Sequence, residues 1–177
     1  MRNGKILEIK KSIRDIPDFP QKGIIFKDIT TLLNNKVLFT DSIDYLCDLV
    51  SRKKFNTIAA IESRGFIFGS AMAYKLNLRF VPIRKPGKLP AEVLTEEYDL
   101  EYGTDRIEMH ADALNAESVV LLVDDLLATG GTAKASCKLI ERSGASVAAI
   151  VFLVELGFLH GREILNKYEV LSLINYD

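Results

Sequence analysis

Three short runs in this chain are apolar from end to end: Thr57–Ile61, Val119–Val123 and Val147–Val154. A strand without polar alternation has no face it can turn to water, so it must be covered on both sides. Arg79–Ile83 and Glu169–Ile174 read as two further strands. Between them lie helical patterns at Gly65–Leu76 and Thr132–Ser143, the second stopped by Gly144. Buried strands alternating with helices predict an α/β fold. The expected core is a central, mostly parallel, twisted sheet flanked by helices in the doubly wound manner.

The ends of this pattern are less regular. Ile6, Ile9 and Ile13 predict a short amphipathic helix over Lys5–Ile13, and Val37, Leu38, Ile43, Leu46 and Val50 predict a second. Between them Pro17, Pro20 and Gly23 break the chain before the apolar run Ile24–Phe26. Arg84–Glu97 contains Pro86, Gly87 and Pro90 beside Arg84, Lys85 and Lys88, and reads as a long mobile loop. Tyr98–Met109 alternates around Gly103 and predicts a hairpin. A loop of that length in a compact domain is a lid, a binding loop or disordered.

Length and charge narrow the function classes. The chain has 177 residues and a net charge of −1, which fits one domain and offers no field for holding a polyanion. Nucleic acid is therefore not an expected partner. The two cysteines, Cys47 and Cys137, give neither a metal spacing nor a disulfide framework, and a reducing, cytoplasmic setting is expected. The charged N-terminus does not read as a signal peptide, and no apolar stretch is long enough for a membrane span. His110 and His160 are far apart in sequence and read as structural.

The most informative string runs from Val119 to Thr132: a buried strand, Asp124-Asp125, then Leu126-Leu127-Ala128-Thr129-Gly130-Gly131-Thr132. Ligands in open α/β sheets gather at the carboxyl ends of strands. Gly130 and Gly131 let the backbone approach an anion, and the following helix start turns free N–H groups and a positive dipole end toward it. Thr129 and Thr132 add hydroxyl donors. Carboxylates repel phosphate, so Asp124 and Asp125 are expected on another part of the ligand, either a vicinal diol or a metal ion. A phosphate cup beside a diol clamp describes ribose 5-phosphate. The bland alternative is an ordinary strand-to-helix turn in which Asp and Thr serve as N-caps. Neither a Gly-x-x-x-x-Gly-Lys-Ser/Thr loop nor a Gly-x-Gly-x-x-Gly turn after a strand is present.

At this string the sequence resembles the phosphoribosyltransferase family, in particular its adenine-specific members. Pro17–Ile29, Glu62-Ser63-Arg64-Gly65-Phe66, and Arg84–Pro90 leading to Leu100–Gly103 carry the same resemblance in matching order. It implies one phosphoribosyltransferase-type domain over 1–177, with a small N-terminal hood at about 1–35 and a lid loop at about 84–105. It implies purine salvage, with transfer of phosphoribosyl from phosphoribosyl pyrophosphate to adenine, Mg²⁺ as cofactor and a homodimer as the assembly.

The implied roles follow the matching residues. Asp124, Asp125, Ala128, Thr129, Gly130, Gly131 and Thr132 bind the phosphoribosyl group. Ser63, Arg64, Arg84, Lys85, Lys88 and Tyr102 bind pyrophosphate, with a cis peptide at or near Glu62–Ser63 and with Arg64 reaching the neighbouring subunit's site. Ile25, Phe26, Lys27 and Leu156 bind adenine, although Ile24–Phe26 read alone is equally a piece of core. Glu101 is the general base. No protein metal ligand is implied, since Mg²⁺ prefers substrate oxygens and water. Two alternatives stay open: transfer to hypoxanthine, guanine or xanthine, and a regulator that senses the activated sugar without turning it over.

Overall fold

The structure, a computed structural model, describes residues 2–99 and 104–177. The chain divides into two compact units, Met1–Tyr45 and Leu46–Asp177.

The first unit holds α1 (Arg2–Ser12), β1 (Arg14–Pro17), β2 (Ile25–Asp28), α2 (Thr30–Leu33) and the start of α3 (Lys36–Val50). Ile9 and Ile13 are buried here, as the helical spacing predicts, together with Ile29 and Leu32. β1 and β2 form an antiparallel ribbon that the proline-rich sequence hides, with Pro17 opposite Ile25 and Arg14 opposite Asp28. Asp28 fixes the ribbon to the next helix. Its carboxylate accepts from the Thr30 backbone N–H at 2.9 Å and from the Arg14 guanidinium at 2.6 Å. Those bonds, the Thr30 N–H first, hold its pKa down at about 2. Ile24 and Ile25 are exposed, so the reading of Ile24–Phe26 as core does not hold.

The second unit contains β3 (Thr57–Ile61), α4 (Arg64–Leu76), β4 (Arg79–Ile83), β5 (Val93–Asp99), β6 (Thr104–His110), β7 (Val119–Leu127), α5 (Gly131–Arg142), β8 (Ser146–Leu156), the short α6 (Gly161–Ile164) and β9 (Val170–Tyr176). Among the described residues the central sheet has the order β4-β3-β7-β8-β9, and every neighbouring pair is parallel. Alternation along a strand decides which helix covers which residues. Ala59, Ile61, Val120 and Leu122 join Ala133, Cys137 and Ile140 of α5 in one core. On the opposite face Gly69 of α4 sits over Ile58 and Ala60. The sheet is thus covered on both faces, as its continuous apolar strands require.

Two expectations change. β7 does not stop at Val123 but runs to Leu127, because Asp124, Leu126 and Leu127 pair with Phe152, Val154 and Glu155 of the long β8. Asp is a poor strand former, and the ladder overrides that preference. The long loop expected over Arg84–Glu97 is also shorter: Val93–Asp99 is a strand paired with Thr104–His110. Arg84 forms a bridge with Glu108, and the Gly87 N–H donates to the Glu108 carboxylate at 3.0 Å. The hairpin expected over Tyr98–Met109 is therefore present and begins earlier, at Val93. Among the described residues no helix is long and apolar enough to cross a membrane.

Candidate active site

The carboxyl end of β7 opens into a small hollow lined by Asp124, Ala128, Thr129, Gly130, Gly131 and Thr132, with Phe152 among them. α5 starts there. Its N-cap is Gly130, at φ +84°, and no side chain caps the helix. The reading of Asp and Thr as caps therefore fails, and the first-turn N–H groups keep their donors for something else. A Cβ at Gly130 would lie 2.7 Å from the Gly161 carbonyl oxygen, so the turn needs glycine for space as well as for its left-handed backbone.

The two acids sit together where β7 meets the start of α4. Asp124 lies in line with Leu122 and borders the hollow. Asp125 is 4% exposed, and its Oδ2 stands 3.0 Å from Arg64 Nε at the start of α4. That approach is electrostatic, since the angle is not that of a hydrogen bond and Oδ2 accepts none. Burial raises both carboxyl pKa values. For Asp124 the neighbouring Asp125 charge adds to the rise, and for Asp125 the Arg64 guanidinium opposes it. Arg64 makes this approach within its own chain.

The remaining cations gather at the end of β3 and β4, around a residue with no role in the sequence reading. Glu62 accepts from the Lys85 backbone N–H at 2.9 Å and lies 3.3 Å from Arg84 Nε and 3.5 Å from Lys88 Nζ. Burial works against its charge, and these three donors overcome that, so its pKa is lowered. Lys85 Nζ itself bonds Asp105 and, at 3.0 Å, the Tyr98 hydroxyl. The peptide between Glu62 and Ser63 is cis, as expected, and Ser63 is exposed beside it. A sequence profile of the phosphoribosyl transferase domain matches residues 28–175.

The chain belongs to the phosphoribosyltransferase family.

Curated relatives of this phosphoribosyltransferase carry a narrower name. The adenine phosphoribosyltransferase of Thermotoga neapolitana is 54% identical over 170 residues, covering 96% of this chain and all of that protein. The protein of the same name from Thermoanaerobacter sp. is 56% identical over 169 residues, covering 96% and 98%. Among solved structures, the crystal structure of adenine phosphoribosyltransferase from Thermoanaerobacter pseudethanolicus superposes with a TM-score of 0.95 at 55% identity, covering 97% and 99%. The Saccharomyces cerevisiae enzyme, crystallised with an imino-altritol bisphosphate and adenine, gives a TM-score of 0.90 at 39% identity, covering 97% and 99%.

Other expected site residues fall in different surroundings. In the first unit, Ile25 is exposed and Phe26 meets Phe19 edge-on at 5.2 Å. Lys27 is buried with its ammonium 2.7 Å from Asp15, so its side chain is committed within the ribbon. In the second unit, Leu156 ends β8 and is buried. Glu101 and Tyr102 lie outside the described residues. Cys137 is core, its thiol pushed up to about 12 by burial, and His160 is a surface residue 3.4 Å from Glu163.

Proposed function

We propose that this phosphoribosyltransferase transfers the 5-phosphoribosyl group of phosphoribosyl pyrophosphate to adenine, giving AMP and pyrophosphate in purine salvage. The observation that carries the reading is the uncapped start of α5 at a glycine turn, with a carboxylate at its rim. Such a cup satisfies a 5-phosphate through backbone N–H groups and the Thr129 and Thr132 hydroxyls. Asp124 accepts from the ribose hydroxyls, with Asp125 behind it. The relatives named above support adenine as the base.

In the step itself, adenine N9 forms a bond to the anomeric carbon as the bond to the pyrophosphate oxygen breaks. The purine ring proton passes to Glu101 as general base. Arg64, Arg84, Lys85 and Lys88, with Ser63 and Tyr102, hold the departing pyrophosphate and balance its charge. The oxocarbenium-like centre is stabilised by the nearby carboxylates. Base choice comes from the backbone of Ile25 and Lys27, which matches a 6-amino group and meets a 6-oxo group acceptor to acceptor, with Phe26 and Leu156 against the ring.

Mg²⁺ fits this arrangement. The ion would be held mainly by phosphate and water oxygens, while the Asp124 carboxyl at the rim faces the ribose hydroxyls rather than ligating it. When bound, the ion supplies charge neutralisation to the diphosphate. The assembly is a homodimer in the cytoplasm, with residues of about 1–35 as a hood and about 84–105 as a lid. Competition among nucleobases tests the assignment: adenine is turned over and hypoxanthine is not, and equal turnover of the two would remove adenine as the substrate.

A further inference from the structure

The phosphate cup is not held by its own strand and helix alone. Gly161, at the start of α6, lies directly beneath it: a Cβ there would overlap the Ala128 carbonyl oxygen and lie 2.9 Å from Leu127 Cδ1. From the other side, a Cβ on Gly130 would lie 2.7 Å from the Gly161 oxygen and 3.1 Å from Ile164 Cγ1. The backbones of 128–130 and 161 are thus in mutual contact, and neither can shift without the other. Four residues of helix do not hold themselves in place. Something must fix α6.

That fixture is next in the chain. Arg162 grips Glu155 with both arms of its guanidinium, Nε to Oε1 at 2.5 Å and Nη2 to Oε2 at 2.6 Å. The Ser172 hydroxyl donates to Glu155 Oε2 at 2.5 Å, and Arg162 Nη1 donates to the Val170 carbonyl at 2.7 Å. Glu155 is 6% exposed and pairs in register with Leu127, the last residue before the cup. One planar fork therefore ties α6 to β8 and β9 at the level where the phosphate loop begins. Bidentate, charge-assisted bonds fix direction as well as distance.

We propose that Arg162, locked by Glu155 and Ser172, is a positioning residue for the 5-phosphate loop, acting through the backbone contact of Gly161 with Ala128 and Gly130. The proposal rests on the reading of 128–132 as a 5-phosphate cup. It separates the two halves of the sugar substrate: the clasp governs the phosphate at the cup, whereas the pyrophosphate groups at 62–64 and 84–88 stand on other strands.

Isothermal titration of the full chain with ribose 5-phosphate, and separately with pyrophosphate, tests this. Arg162→Lys keeps the charge and loses the fork; Ser172→Ala removes one hydroxyl and spares the fold if the lysine variant does not fold. In both, the dissociation constant for ribose 5-phosphate rises, about tenfold in Arg162→Lys, while that for pyrophosphate stays as in the wild type. Unchanged ribose 5-phosphate affinity in the variants overturns the inference. Equal weakening of both ligands with a lowered melting temperature also overturns it, because that is general destabilisation. If the wild-type chain itself fails to bind ribose 5-phosphate, the cup reading fails and the inference falls with it.

Discussion

Asp124 and Asp125 are neighbours in the chain with different surroundings in the fold. One borders the hollow and the other is buried against Arg64. The adjacent pair was legible in the sequence, but its burial and its approach to Arg64 depend on α4 packing against the end of β7, which no local pattern records. The raised pKa of Asp124 has a further consequence. Its charge is disfavoured in the folded chain, so it stabilises the fold below the ordinary carboxylate range and costs stability as pH rises above it. Asp124→Asn should therefore raise the melting temperature of the ligand-free protein at neutral pH while weakening binding of the activated sugar. Calorimetry and titration on one preparation check both; intact sugar binding would remove Asp124 from the clamp. Glu101→Gln should mainly lower kcat, by about a hundredfold or more, with little change in KM for adenine. An unchanged kcat takes Glu101 out of the chemistry.

At the scale of elements, continuous apolar runs located β3, β7 and β8 because burial on both faces leaves a direct mark in sequence, whereas the edge strands β4 and β9 are only partly buried and carry a mixed pattern. The ribbon of β1 and β2 leaves no such mark. It is four residues on each side, half of them exposed, and β1 ends on Pro17, so its pattern is that of a loop. β5 was hidden similarly, since Thr95, Glu96 and Glu97 sit in a hairpin strand only half covered by α5. Glu62 and Gly161 carry positional meaning that only packing reveals, although a lone carboxylate just past a buried strand is a signal worth weighing. The cup turn gives the sharpest element-level prediction. Gly130→Ala forces a side chain into a left-handed position and toward the Gly161 carbonyl oxygen at 2.7 Å. It should cost at least about 2 kcal/mol in stability, measured by urea unfolding, and should weaken ribose 5-phosphate binding.

For the whole molecule, charge is arranged locally rather than as a field. The net charge is −1, and the cations near the site are matched by Glu62 and Asp105. This arrangement ties stability to pH with a definite sign. Glu62, Asp105 and Glu155 all have pKa values lowered in the fold, against the burial that would raise them, by their lysine, arginine and hydroxyl partners. Their contribution is fully present above the unfolded carboxylate range, near pH 4, and is lost as pH falls through the lowered values. Melting temperature should thus fall in acid, and the fall should be shallower in Glu155→Gln than in the wild type. A parallel pH profile in the two proteins would contradict the coupling.

Transfer, rather than binding alone, defines this enzyme. The most direct test gives the full chain adenine, phosphoribosyl pyrophosphate and Mg²⁺ and follows both products. The structure and its relatives predict AMP and pyrophosphate appearing one for one, with no pyrophosphate released when hypoxanthine replaces adenine. Tight binding of the activated sugar without release of pyrophosphate would contradict the account and leave a sensor in place of an enzyme.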